Sequence, residues 1–217
     1  MSRLDDAIEN LYVAFADVRK PQSIEGCPCC WSDKDSRSLL SGKLRDAPLK
    51  ELGIYAWSAM STIGSAEDYL YFLPQILNLI ATEGGWGPDV EVIGRAIHET
   101  EPHKWATNKH QALEEYLSAI VYTLLTPGWH HRLDSWLRVI DRVGMDVRPH
   151  LHAIEHSTDA VLDFFTDNAS DLPARRLTSS CWKTPNDSHD AIVAWFYSPR
   201  IRKIIFDAYG YVLPMQE

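Results

Sequence analysis

The segment from Glu67 to Ala81 is apolar on nearly every side, with Leu70, Phe72, Leu73, Ile76, Leu77, Leu79 and Ile80 spread around its circumference. A helix that is hydrophobic all round must be enclosed by other elements, so this segment is expected to be the buried centre of the fold. Ser65 and Asp68 open it. Pro74 is expected either to kink it or to mark its true first turn.

The surrounding segments repeat the helical pattern. An opening helix spans Leu4 to Val18, with Ser2 and Asp5 spaced as a capping box and Leu4, Ile8, Leu11, Tyr12 and Phe15 at helical spacing. Further helices are expected from Pro48 to Gly64, Asp89 to Glu99, Thr107 to Leu125, Arg132 to Val143, Pro149 to Asn168, and Asp187 or Ser188 to Phe196. Ser198-Pro199 begins a last helix that Gly210 ends. The residues between Lys20-Pro21 and Pro48 are read as a cysteine-bearing loop and a short turn around Ser38-Leu39-Leu40. No run alternates with period two for long enough to require a sheet. The expectation is an all-α fold of about nine helices, arranged as antiparallel pairs in a multi-helix bundle or HEAT-like stack. The eight tryptophans are spread along the chain, so a single domain over 1–217 is expected, with helices 1–126 and 129–217 packed as one unit.

Charge narrows the function classes. The formal charge of −9 and pI near 5.4 disfavour a general nucleic-acid binder, which needs clustered Lys and Arg against phosphate. The start of the chain turns acidic at Asp5-Asp6, and the longest apolar stretch, Tyr69 to Ile80, is too short for a membrane span. A cytoplasmic protein is expected, in which cysteines rest as thiols or metal thiolates rather than structural disulfides.

Three of the four cysteines lie in Cys27-Pro28-Cys29-Cys30. Cys27 and Cys30 form a C-x-x-C pair, and thiolates at that spacing can grip one Zn²⁺ from a tight turn. A structural zinc site needs four ligands, so Cys29, Cys181, His103, His110 or His189 would have to complete it. The candidate metal set is Cys27, Cys29, Cys30 and Cys181. Burial as small apolar groups, as for most free cysteines, is the stronger reading of these thiols, with metal binding the alternative. A thioredoxin-like role lacks its βαβ context.

His152-Ala153-Ile154-Glu155-His156 matches the H-x-x-E-H string of inverted zinc peptidases. However, Leu151, Ile154, Val161, Leu162 and Phe165 define the core face, which leaves His152, His156, Asp159 and Asp163 on the wet side. A solvated stripe, or a weak metal site, is the stronger reading there. His130-His131 reads as a turn feature. Arg200, Arg202 and Lys203 read as a solvated face, with an RNA- or DNA-directed role the weaker alternative. The chain contains no G-x-x-x-x-G-K-[ST], no G-x-G-x-x-G after a strand and no G-x-S-x-G. Nucleotide hydrolysis, dinucleotide redox chemistry and α/β-hydrolase catalysis are therefore disfavoured.

Three stretches carry a resemblance: Ile24-Glu25-Gly26-Cys27-Pro28-Cys29-Cys30, Ala66 through Leu77, and the Trp105 segment leading into Glu114-Glu115-Tyr116-Leu117. Together they resemble an uncharacterised bacterial family of all-helical proteins with a CPCC-type loop near the N-terminus. The resemblance implies a helical fold and no particular reaction. On these grounds the first expectation is a non-enzymatic helical protein acting through protein–protein interaction. A protein that neutralises a basic toxin partner would fit the acidic, aromatic-rich composition. The alternative is a zinc-binding metalloprotein that uses the Cys27/Cys30 loop, with Zn²⁺ the cofactor in that case.

Overall fold

The computed structural model describes residues 2–83, 85–182 and 186–214, apart from the side chain of Cys181. Among the described residues the regular structure is helical: eleven α-helices separated by loops and short 3₁₀ turns. Among the described residues the only extended pairing is a pair of isolated bridges, Gly26–Ile63 and Ala59–Ile63. The fold is all-α, as the periodicity requires. Among the described residues no helix is long and apolar enough to cross a membrane.

The count of about nine helices needs correction at two places. Residues 33–39, read as loop and turn, form a helix whose N-cap Ser32 and third residue Asp35 make a reciprocal capping box. The segment expected to run unbroken from Pro149 to Asn168 is two helices, Arg148–Ile154 and Thr158–Asn168. Ser157 takes up extended backbone between them, and its side chain accepts from the Ala160 amide. Serine at that point satisfies an orphan N–H of a new helix, which competes with continuing the old one.

By internal packing the chain forms two compact units, Met1–Ala119 with Arg142–Gly144, and Ile120–Asp141 with Met145–Glu217. The first holds α1 (Arg3–Ala14), α2 (Asp33–Leu39), α3 (Leu49–Ser58), α4 (Ala66–Thr82), α5 (Val90–Glu99) and the start of α6 (Thr107–Leu124). Its centre is α4, which packs against α1 and α5. Tyr69, Phe72, Leu73, Ile76 and Leu77 are buried to within 1% of completely. Each such side chain contributes about 1.5–3 kcal/mol relative to exposure, more than local propensity supplies. This burial explains how α4 tolerates Pro74, which lies inside the helix rather than at its first turn. Ser65 and Asp68 cap the start of α4 reciprocally, which satisfies two donors that would otherwise be orphaned.

One polar cluster runs from the interior of this unit to its surface. Gln75, 3% exposed, accepts from the Tyr12 hydroxyl on α1 and donates to the Arg45 carbonyl at 3.3 Å. The Arg45 guanidinium sits 3.6 Å over the Tyr12 ring and reaches both carboxylate oxygens of Glu9, at 2.7 and 2.6 Å. Burial raises the Tyr12 pKa, so its hydroxyl stays a proton donor.

The second unit holds the end of α6, α7 (Leu133–Arg142, largely), α8 (Arg148–Ile154), α9 (Thr158–Asn168), α10 (Asp187–Phe196) and α11 (Pro199–Tyr209). α9 packs on α11, and α8 on α10. An aromatic cluster fills it: Phe164 lies 5.1 Å from Phe196, and Trp195 lies 4.9 Å from Phe196. His130 is buried beneath α9, with Nδ1 2.7 Å from an Asp163 oxygen and Nε2 3.1 Å from the Leu125 carbonyl. Asp163 is thus drawn to His130 rather than lying along a stripe with His152 and His156. On α11, Ile201 and Ile205 point inward as the pattern requires, whereas Tyr209 remains 54% exposed.

Gln75→Leu keeps the volume of this side chain but leaves the Tyr12 hydroxyl and the Arg45 carbonyl without it. The expected loss of stability is about 1–3 kcal/mol, read from the urea midpoint. An unchanged midpoint would contradict the role given to Gln75.

Candidate metal centre

The cysteine loop is fixed by main-chain bonds before any thiol is considered. Gly64 N–H donates to the Glu25 carbonyl at 2.7 Å, and Cys27 N–H donates to the Thr62 carbonyl at 2.8 Å. Residues 25–27 are therefore laid against the connection between α3 and α4. The chain then curls. Cys30 and Trp31 both donate their amides to the Cys27 carbonyl, at 2.9 and 3.0 Å. Trp31 closes the curl: it is 5% exposed, and its indole N–H donates to the Ile24 carbonyl at 3.2 Å. Ser36, buried on α2, accepts from the Ile24 amide at 2.9 Å.

Two glycines make these approaches possible. A Cβ on Gly26 would fall 2.9 Å from the Trp31 Cβ. Gly64 has a φ of +69°, and a Cβ there would lie 2.9 Å from the Tyr55 ring, so both backbone angle and space demand glycine.

On this anchored curl the thiols converge. Cys27 Sγ and Cys29 Sγ are 2.8 Å apart, and Cys29 Sγ and Cys30 Sγ are 3.2 Å apart. All three sulfurs lie within 4.8 Å of one another. Cys29 and Cys30 are exposed and Cys27 half-buried, so burial as small hydrophobes does not describe them. With Zn–S near 2.3 Å, two thiolates on a tetrahedral ion sit about 3.8 Å apart. The 2.8 and 3.2 Å spacings would have to widen by about 1.0 and 0.6 Å to reach that.

The three thiols are electronically unequal. Hydrogen bonds from the Cys29 side chain and backbone, with smaller ones from Cys30, lower the Cys27 pKa. The proton Cys29 shares with Cys27, and then Cys30, pushes its own thiol up to about 12. Cys27 therefore ionises more readily than Cys29.

The other sequence candidates are placed as follows. His103 and His110, in the same unit, do not join the cluster. His189 is buried in the second unit with Nδ1 3.0 Å from Asp190. The Cys181 side chain lies outside the described residues. On α11, Lys203 pairs with Asp207 at 2.7 Å and Arg200 approaches Glu155 at 3.7 Å, which reduces the free positive charge of that face. Gly26, Trp31, Ser36 and Gly64 build the loop; of these only Ser36 has a local sequence signal, the capping pair Ser32 and Asp35 that starts α2 directly after the thiols. A cleft of about 870 Å³ opens beside the loop between Ile24, Glu25, Pro28 and the Asp33 and Arg37 positions of α2.

Comparison of the chain with known protein families, curated proteins and solved structures gives no match. The reading of the site rests on its geometry.

Because the Cys27 pKa is lowered, its thiolate appears at lower pH than that of an ordinary free thiol, near about 8.5. In metal-free reduced protein, limited iodoacetamide labelling at pH 7 is expected to mark Cys27 first and Cys29 last. Peptide mapping by mass spectrometry checks this, and preferential labelling of Cys29 would contradict it.

Proposed function

We propose that the protein is a metalloprotein that binds Zn²⁺ through the thiolates of Cys27, Cys29 and Cys30. The observation that supports this reading is the convergence of three sulfurs on one backbone-anchored, solvent-facing curl. Buried cysteines that serve only packing have no reason to meet, and thiolates are the donor type that favours Zn²⁺ and Cu⁺ over harder ions. Three protein ligands leave one coordination position open. Closed structural zinc sites take four, so this arrangement suits an ion that stays reachable by water or an incoming ligand. The main-chain bonds to Thr62 and Gly64 anchor the curl without using the thiols.

A second reading is binding of another protein, as in neutralisation of a basic partner. It is favoured by the net charge of −9 together with exposed aromatic surface, with Trp57 53% and Trp129 45% exposed. The resemblance to the CPCC-loop helical family is compatible with either reading.

Protein prepared without a histidine tag is expected to hold about one equivalent of zinc per chain by elemental analysis. The triple variant C27S/C29S/C30S should lose that ion while its far-ultraviolet circular dichroism stays unchanged. Zinc at about 100-fold over the dissociation constant of the thiolate site should stabilise wild type by about 2.7 kcal/mol through that site, a contribution the variant lacks. Zinc content well below one equivalent, or equal content in the variant, would overturn the proposal.

A further inference from the structure

The second unit carries a cluster that the thiolate reading does not use. His152, Glu155 and His156 stand at i, i+3 and i+4 across the end of α8, so their side chains emerge on the same side. One nitrogen from each imidazole and one carboxylate oxygen lie within 4.8 Å of one another. The two rings are 5.0 Å apart between centroids, with their planes at 80°. His152 Nδ1 is 2.9 Å from Glu155 Oε1.

A merely solvated stripe would leave these groups independent, whereas here the carboxylate is held. The Glu155 side chain is only 18% exposed, and the Arg200 guanidinium lies 3.7 Å from the same oxygen. The other guanidinium nitrogen of Arg200 donates to the Glu155 main-chain carbonyl at 3.2 Å and stands 3.4 Å from His156 Nδ1. The first turn of α11 thus braces the end of α8. Bracing of this kind fixes donor orientation before any ion arrives.

His152 and Glu155 also line a cleft of about 550 Å³ bounded by α8 and α10, with Asp187, Asp190 and Trp195 across it.

We infer that His152, Glu155 and His156 form a second metal site, for a divalent transition ion of the Zn²⁺, Ni²⁺ or Cu²⁺ class. Two imidazoles and one carboxylate are the donor set such ions favour over Mg²⁺ or Ca²⁺, which take oxygen ligands. Zn–N and Zn–O bonds near 2.1 Å bring donors about 3.4 Å apart on a tetrahedral ion. Both imidazoles are exposed and free to rotate to that spacing. Glu155 supplies an oxygen ligand here rather than acting as a general base. Three ligands leave the remaining positions open toward solvent and the cleft. Arg200 competes with the ion for the carboxylate, so this site is expected to be weaker than the thiolate site.

The test uses the full-length chain with Cys27, Cys29, Cys30 and Cys181 replaced by serine, so that thiolates contribute nothing. Titration with Cu²⁺ is expected to saturate at about one equivalent, with nitrogen hyperfine structure from two imidazoles in the electron paramagnetic resonance spectrum. Competition with a chromophoric chelator should show Zn²⁺ in the same site. His152→Ala or His156→Ala should weaken both ions by at least about ten-fold and remove one nitrogen from the spectrum, and Glu155→Gln should weaken them by a similar factor. Circular dichroism should be unchanged in the histidine variants, since both side chains are exposed. Absence of saturable binding, or affinity unaltered by either histidine substitution, would overturn the inference.

Discussion

Enclosure of α4 is the constraint on which the first unit depends. A helix with Tyr69, Phe72, Leu73, Ile76 and Leu77 all out of water has little freedom to slide or rotate without exposing one of them. Its start is set by the reciprocal cap of Ser65 and Asp68. The residue before that cap, Gly64, is held against Tyr55 in a conformation other residues rarely adopt. The cysteine curl hangs directly from this point, through the bonds of Gly64 to Glu25 and of Cys27 to Thr62. The apolar packing of one helix thereby fixes the position of three thiols, two of them exposed and one half-buried.

The thiols stand apart from the packing that stabilises the helices. The thiols project from a turn closed by Trp31 and by the Ile24 carbonyl, and nothing in the helical core needs them. Within the cluster the Cys27 pKa is lowered and the Cys29 pKa raised by their mutual hydrogen bonding. The braced cluster at the end of α8 follows the same logic with different donors. There a charge from a neighbouring helix, Arg200, rather than main-chain bonds, holds the key carboxylate.

The helices were legible where long apolar periodicity met an unambiguous stop. The segment around α4 and the pair Ser198-Pro199 are examples, and their observed limits, Ala66–Thr82 and Pro199–Tyr209, lie close to those expected. Two features escaped because they depend on short-range capping rather than periodicity. The seven residues of α2 are too few to show a hydrophobic period, and only the Ser32 and Asp35 box announces them. The break between α8 and α9 turns on Ser157, whose polar side chain starts a new helix inside a pattern that otherwise continues. The site was half visible. Spacing alone marked Cys27, Cys29 and Cys30 as able to meet, because residues so close in sequence cannot lie far apart. What holds them there involves partners some thirty-five residues away, at Thr62 and Gly64, and a steric need for glycine at position 26, none of which a local pattern encodes.

The most direct measurement of the central claim is the zinc K-edge X-ray absorption spectrum of untagged protein loaded with a single equivalent of the ion. The thiolate assignment requires a first shell dominated by three sulfurs at about 2.3 Å, with one lighter atom completing it. A shell containing only nitrogen and oxygen would contradict the assignment and leave the cysteine curl without the role given to it here.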